Sequence, residues 1–187
     1  MGFTRAELEA YRDATVDDLV GPGLRLLFVG INPGLWTAAT GTHFAHPGNR
    51  FYPALLRAGL IDRPIDRGRG MDDEDRAHLI ERGIGITNLV ARATAKASEL
   101  SPAELRAGGA RLVAFVEHHR PLVVAVAGIT AYRAAFGARH AVLGPQPESL
   151  AGSGLWIVPN PSGLNAHETI ETLAMAYRAP AEAAGII

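Results

Sequence analysis

Two buried-strand patterns that each run directly into a loop of Gly, Pro and Asn constrain this chain more than any other feature. Leu24 to Gly30 (LRLLFVG) is apolar almost throughout, as a strand covered on both faces must be, and it continues into Gly30-Ile31-Asn32-Pro33-Gly34. Leu155 to Val158 is a second such run, and it continues into Asn160-Pro161-Ser162-Gly163-Leu164-Asn165. A pair of tight turns would explain these residue types singly, because they dominate turns. It would not explain two polar loops at the same end of two buried strands.

The rest of the pattern alternates strands and helices. Ile84 to Val90 and Leu122 to Ala127 read as strands, and Arg50 to Ala58, Asp72 to Arg82, Ile129 to Phe136 and His167 to Tyr177 as helices. Ser101-x-x-Glu104 is a capping box opening a helix to about His119, and Thr4-x-x-Glu7 is another. The reading is one domain over residues 1–187, with residues 1–20 as an N-terminal helical extension ended by Gly21-Pro22-Gly23. Such alternation implies an α/β fold with a mostly parallel sheet and helices on both faces. Ligands bind such sheets beyond the carboxyl ends of the strands, where both loops are expected.

Several chemistries are excluded. The chain has no cysteine, so disulfides, thiol nucleophiles, cysteine-held zinc and iron–sulfur clusters are out. The seven histidines, among them His43, His46 and the pair His118-His119, form no metal-ligand spacing with a carboxylate, and neither a metal nor a cofactor is expected. There is no G-x-G-x-x-G and no P-loop, and Ser162 lacks the elbow motif of a nucleophile. The longest apolar runs are strand length, so no membrane span is expected. The amino terminus has mixed charges and no apolar stretch of a secretory signal, which points to a cytoplasmic protein. The net charge of −1 argues weakly against nucleic acid. Distribution matters more than the sum, although the acidic run Asp72 to Asp75 and the arginines Arg50, Arg57, Arg63, Arg67 and Arg69 read by themselves as solvated surface.

The stretch GINPGLWTAATGTHFAHPGNRFY (30–52), with NPSGL (160–164), GITNLV (85–90) and ELRAGGAR (104–111), resembles the mismatch-specific uracil/thymine-DNA glycosylase family. The likeness is colinear from about Gly21 to Tyr177. It implies a three-layer α/β/α sandwich around a short, mostly parallel four-stranded sheet. It also implies base flipping, because C1′ of a stacked nucleotide is out of reach inside the duplex.

By that resemblance Asn32 holds the hydrolytic water. An amide oxygen accepts a hydrogen bond but is no useful base, so the leaving group and an oxocarbenium-like sugar must carry the reaction. Phe44 stacks on the flipped base, the alternative being core packing, and the N–H groups of Ile31 and Phe44 read a uracil carbonyl. Asn88 either reads the base edge or caps its own turn. His43 either positions water or phosphate or is a surface histidine. Gly163-Leu164-Asn165 is the wedge, with Leu164 filling the gap in the stack. Gly30, Pro33, Gly34, Asn160, Pro161 and Ser162 support the two motifs. Relatives often carry Arg where this chain has Ala166, which weakens the expected contact to the opposite strand. Thr37 matches the position facing the C5 methyl of thymine, and as a β-branched residue it would favour uracil.

The expectation is therefore a monomeric, monofunctional glycosylase acting on uracil in duplex DNA with a mismatched or damaged base. Lys96, the one lysine, and the amino terminus are the available amines for lyase chemistry, and neither lies in a motif. The alternatives are a non-cutting module that binds mismatched DNA and a small-molecule enzyme acting on nucleosides. Intact Asn32 and Phe44 favour an enzyme, and Leu164 favours a stacked substrate.

Overall fold

The computed structural model describes residues 2–187. Four parallel strands form the sheet: β1 (Leu26–Gly30), β2 (Ile84–Asn88), β3 (Val123–Ala127) and, at the far side, β5 (Gly154–Val158). A two-residue strand, β4 (Gly144–Pro145), adds an antiparallel edge, so the order is β2-β1-β3-β5-β4. The four-stranded expectation thus gains a short fifth strand. Its Gly-Pro sequence carries no strand signal, because Pro withholds a ladder donor and is confined to edges.

Side-chain alternation explains the three layers. Leu26 and Phe28 of β1 point to one face and Leu27 and Val29 to the other. The first face is covered by α3 (Phe51–Ala58), α4 (Asp73–Glu81) and α7 (Ile170–Ala183), which contribute Phe51, Tyr52, Leu55, Leu79, Leu173 and Tyr177. The second is covered by α5 (Pro102–His119) and α6 (Ile129–Phe136) through Leu112, Val116 and Tyr132. In α5 an added Cβ on Gly108 would sit 2.5 Å from the Leu89 carbonyl oxygen, so glycine there lets the helix lie directly on the end of β2.

Two elements differ from expectation. The helix expected from His167 begins at Ile170, because Thr169 is its cap and residues 160–169 belong to the second loop. The amino-terminal segment is not a helical extension. Its helix, α1, is only Arg5–Glu9, with the Thr4 capping box formed. Beyond it the chain runs beside β2: Leu19 and Ile86 exchange two backbone hydrogen bonds, and Thr87 Oγ1 donates to Asp18. The segment thereby covers an edge strand that would otherwise expose its ladder. A further short helix, α2 (Leu35–Thr40), follows the first loop directly.

β1 connects to β2 on one side, and the later strands lie on the other, so the topological switch falls between β1 and β3. Crevices form at the carboxyl end of such a switch. The loop after β1 and the loop after β5 open there.

Candidate active site

A cavity of about 880 Å³ lies at that end. It is lined by Ile31, Asn32, Pro33, Gly34 and Thr37 from the first loop and α2, by His43 and Phe44, by Asn88 at the end of β2, and by Asn160, Ser162, Gly163 and Leu164. The two loops joined in sequence reasoning therefore share one site. Gly30 supports it from behind: an added Cβ there would meet Asn88 Oδ1 at 2.5 Å and the Phe44 ring at 3.3 Å. Only a residue without a side chain allows both groups to close over β1.

The Asn32 amide is oriented by its donors. Nδ2 donates to the Thr94 hydroxyl at 2.8 Å, to the Arg92 carbonyl at 3.0 Å and to its neighbour Pro33's carbonyl at 3.1 Å. Thr94 spends its own proton on the Lys96 carbonyl, so its oxygen can only accept from Asn32. Among the described residues no protein donor reaches Oδ1. The amide thus has a fixed orientation with its acceptor free. The loop that provides these partners is clamped in turn: Thr94 N–H donates to Pro33 O and Val90 N–H to Ile31 O. The Arg92 guanidinium pairs with Glu104 and Asp13, and the hydrogen bonds from Arg92 and then from Ser101 hold the Glu104 carboxyl down to about 2.

Phe44 is both a packing residue and part of the cavity wall. One ring face stacks on Phe51, with centroids 4.1 Å apart and planes 26° apart, and the ring also lines the cavity. Its backbone is left-handed, at φ 55°. Tyr52, whose hydroxyl donates to His43 O, and Thr37, whose Oγ1 accepts from Ala45 N, hold the chain on either side of it. Neither the Ile31 nor the Phe44 N–H has a protein acceptor among the described residues, leaving both donors for a ligand.

His43 is not a surface residue: it is 4% exposed. It is also unavailable to phosphate, because its Nε2 faces the Asp17 carbonyl at 3.0 Å and its Nδ1 faces Asn88 Nδ2 at 3.2 Å. A carbonyl can only accept, so Nε2 carries the proton and Nδ1 accepts from Asn88. Asn88 does not cap its own turn. One of its amide hydrogens is held by His43, which aims its amide from behind. Burial lowers the His43 pKa, opposed by the Asp17 carbonyl and Asp18 and assisted by Arg76.

A pH prediction follows. The depressed pKa means that His43 is neutral in the folded protein through neutral pH. It protonates only below its ordinary value of about 6.5. Protonation turns Nδ1 into a donor facing the Asn88 donor and turns the amide around. Stability from this group is complete above about pH 6.5 and is lost as pH falls through the folded pKa. The single-turnover rate should lose an acid limb when His43 is replaced by Gln, measured from pH 5 to 8. An unchanged profile would remove His43 from the control of Asn88.

In the second loop Leu164 is 91% exposed, more than any other large apolar residue described. Asn165, expected as part of the wedge, instead turns inward: its Nδ2 donates to Asn160 O and its Oδ1 accepts from His167 N–H. Asn160 Oδ1 likewise accepts from Ser162 N–H. Thr37 lines the cavity and is 5% exposed.

Sequence reasoning missed six contributors: Thr94, the Arg92 carbonyl, Lys96 and the α1 residues Arg5, Leu8 and Glu9, the last four being residues of the cavity lining. Lys96 lies outside the motifs, yet it stands on the rim. The Ala-Thr-Ala-Lys stretch has no distinctive pattern, and only the fold brings it to Asn32.

The family model of the Uracil DNA glycosylase superfamily matches residues 18–179, and the chain belongs to that superfamily. Its members are N-glycosylases acting on DNA, hydrolases of the bond between base and sugar.

Proposed function

We propose that this protein is a monofunctional, mismatch-directed uracil-DNA glycosylase of the cytoplasm, acting as a monomer on G·U pairs to begin base excision repair. The observation that carries this reading is the Asn32 amide, with Nδ2 committed to Thr94 and Arg92 and Oδ1 left as an acceptor in the cavity. An acceptor there orients a water but does not deprotonate it. Departure of the base must supply the driving force, and the free N–H groups of Ile31 and Phe44 are suited to stabilise negative charge developing on a uracil carbonyl. Asn88 is placed to read the base edge, and Phe44 to stack beneath it.

Thr37 sets the preference for uracil over thymine. One methyl is worth about 1–3 kcal/mol in an apolar pocket, so rejection needs a wall. A panel of duplexes with G·U, A·U, G·T and G·ethenocytosine, plus single-stranded uracil, tests the reading, with alkali revealing abasic sites. G·U should be cut much faster than G·T, and Thr37→Ala should raise G·T relative to G·U by about 10-fold. A fall in both alike would mean that Thr37 acts only through its bond to Ala45. Binding of G·U without cleavage would favour a recognition module. Lys96 on the rim favours one second reading, a lyase step on the abasic product, which borohydride trapping separates.

A further inference from the structure

We infer that Arg50 is the positioning residue of the wedge: it holds the Leu164 loop in the conformation that enters the base stack. The proposal rests on the glycosylase reading. Four carbonyls of one loop converge on its guanidinium. Nη2 donates to Ser162 O at 3.3 Å, Gly163 O at 3.2 Å and Asn165 O at 2.9 Å, and Nη1 donates to Glu168 O. The Arg50 backbone N–H donates to Pro161 O at 2.9 Å. One residue therefore gathers carbonyls from position 161 to position 168, on both sides of Leu164. No carboxylate pairs with this guanidinium among the described residues, and every hydrogen bond its two terminal nitrogens make goes to the loop.

The contact continues next to it. An added Cβ on Gly163 would stand 2.5 Å from the Gly48 carbonyl oxygen, so the wedge loop lies directly on the 46–50 turn. That turn is tied by Asn49 N–H to His46 O and by Phe51 N–H to Asn49 Oδ1, at the start of α3. Phe51 in turn carries the Phe44 ring. Arg50 thus sits between the base-stacking ring and the wedge, and registers one against the other.

The chemistry requires Arg. A guanidinium offers five donors in a rigid fork, whereas an ammonium offers three around one point and cannot span the loop. An exposed Leu on a loop without such a brace would have to be ordered on binding. With the brace it is ordered beforehand, which lowers the cost of entering the stack.

The test compares Arg50→Lys and Arg50→Gln with Leu164→Ala and the double variant Arg50→Lys/Leu164→Ala. Single-turnover cleavage of uracil is followed in a G·U duplex and in single-stranded DNA, beside hydrogen exchange of the free protein. Exchange in residues 162–168 should speed up in both Arg50 variants and not in Leu164→Ala. Duplex cleavage should fall roughly 10- to 100-fold, the scale of a misplaced positioning group. Single-strand cleavage should stay within about 3-fold, the margin of a group that leaves the pocket intact. The double variant should lose little more than Leu164→Ala alone, since both act on one step. Equal losses on the two substrates, unchanged exchange, full duplex activity, additive losses or failure of both Arg50 variants to fold would each overturn the proposal. Leu164→Ala alone separates the two levels: if it spares duplex cleavage, the wedge reading itself fails, and the Arg50 proposal with it.

Discussion

Asn32→Ala lowers the single-turnover rate of uracil release by about 100-fold or more, the scale of losing one preorganised polar group. The reason is geometric. Oδ1 is the acceptor that the Thr94–Arg92 arrangement leaves free in the cavity, and alanine removes it. Affinity for a G·U duplex carrying a non-hydrolysable 2′-fluoro sugar should change little, because the wedge and the stacking ring remain. Thr94→Val supplies a second arm. It deprives Nδ2 of one acceptor while leaving Asn32 in place, and it should lower the rate by less than Asn32→Ala does. A wild-type rate in Asn32→Ala would remove the amide from the mechanism.

Leu164→Ala has the next largest effect, and it depends on the substrate. Unstacking a step costs a few kcal/mol, and each 1.36 kcal/mol is tenfold in rate. Loss of the wedge should slow duplex cleavage about 10- to 100-fold. Single-stranded uracil has no gap to fill and should be cut at nearly the parent rate. The fold itself is insensitive to this change, since a side chain 91% exposed contributes almost no burial. Equal losses on both substrates would place Leu164 in the pocket instead.

The strands and the two loops were legible because their signals are local. Leu26 to Gly30 is apolar at every position facing either layer, and Asn-Pro-Gly and Asn-Pro-Ser-Gly each follow one residue after their strand. What escaped was set by long-range contact. α2 is six residues long, has Gly34 as an N-cap without a side-chain hydrogen bond, and is held by packing rather than by a start signal. The sequence leaves His43 open between a site role and the surface because its partners, the Asp17 carbonyl and Asn88, lie 26 and 45 residues away in the chain. Thr94 is one threonine among small residues, and only the pairing of its N–H with Pro33 O brings its hydroxyl to Asn32. The resemblance puts Asn165 in the wedge, whereas its side chain closes the loop from within. The amino-terminal segment carried a true capping box at Thr4, yet a box predicts where a helix begins and not how far it runs.

The most direct measurement is a denaturing gel of an end-labelled G·U duplex after one enzyme turnover, run with and without alkali and with borohydride present. Water-directed hydrolysis at Asn32 predicts an intact strand that alkali cuts at the uracil, with no protein–DNA adduct. Cleavage without alkali together with a borohydride-trapped adduct that disappears in Lys96→Met would contradict it, as would a strand that alkali leaves whole.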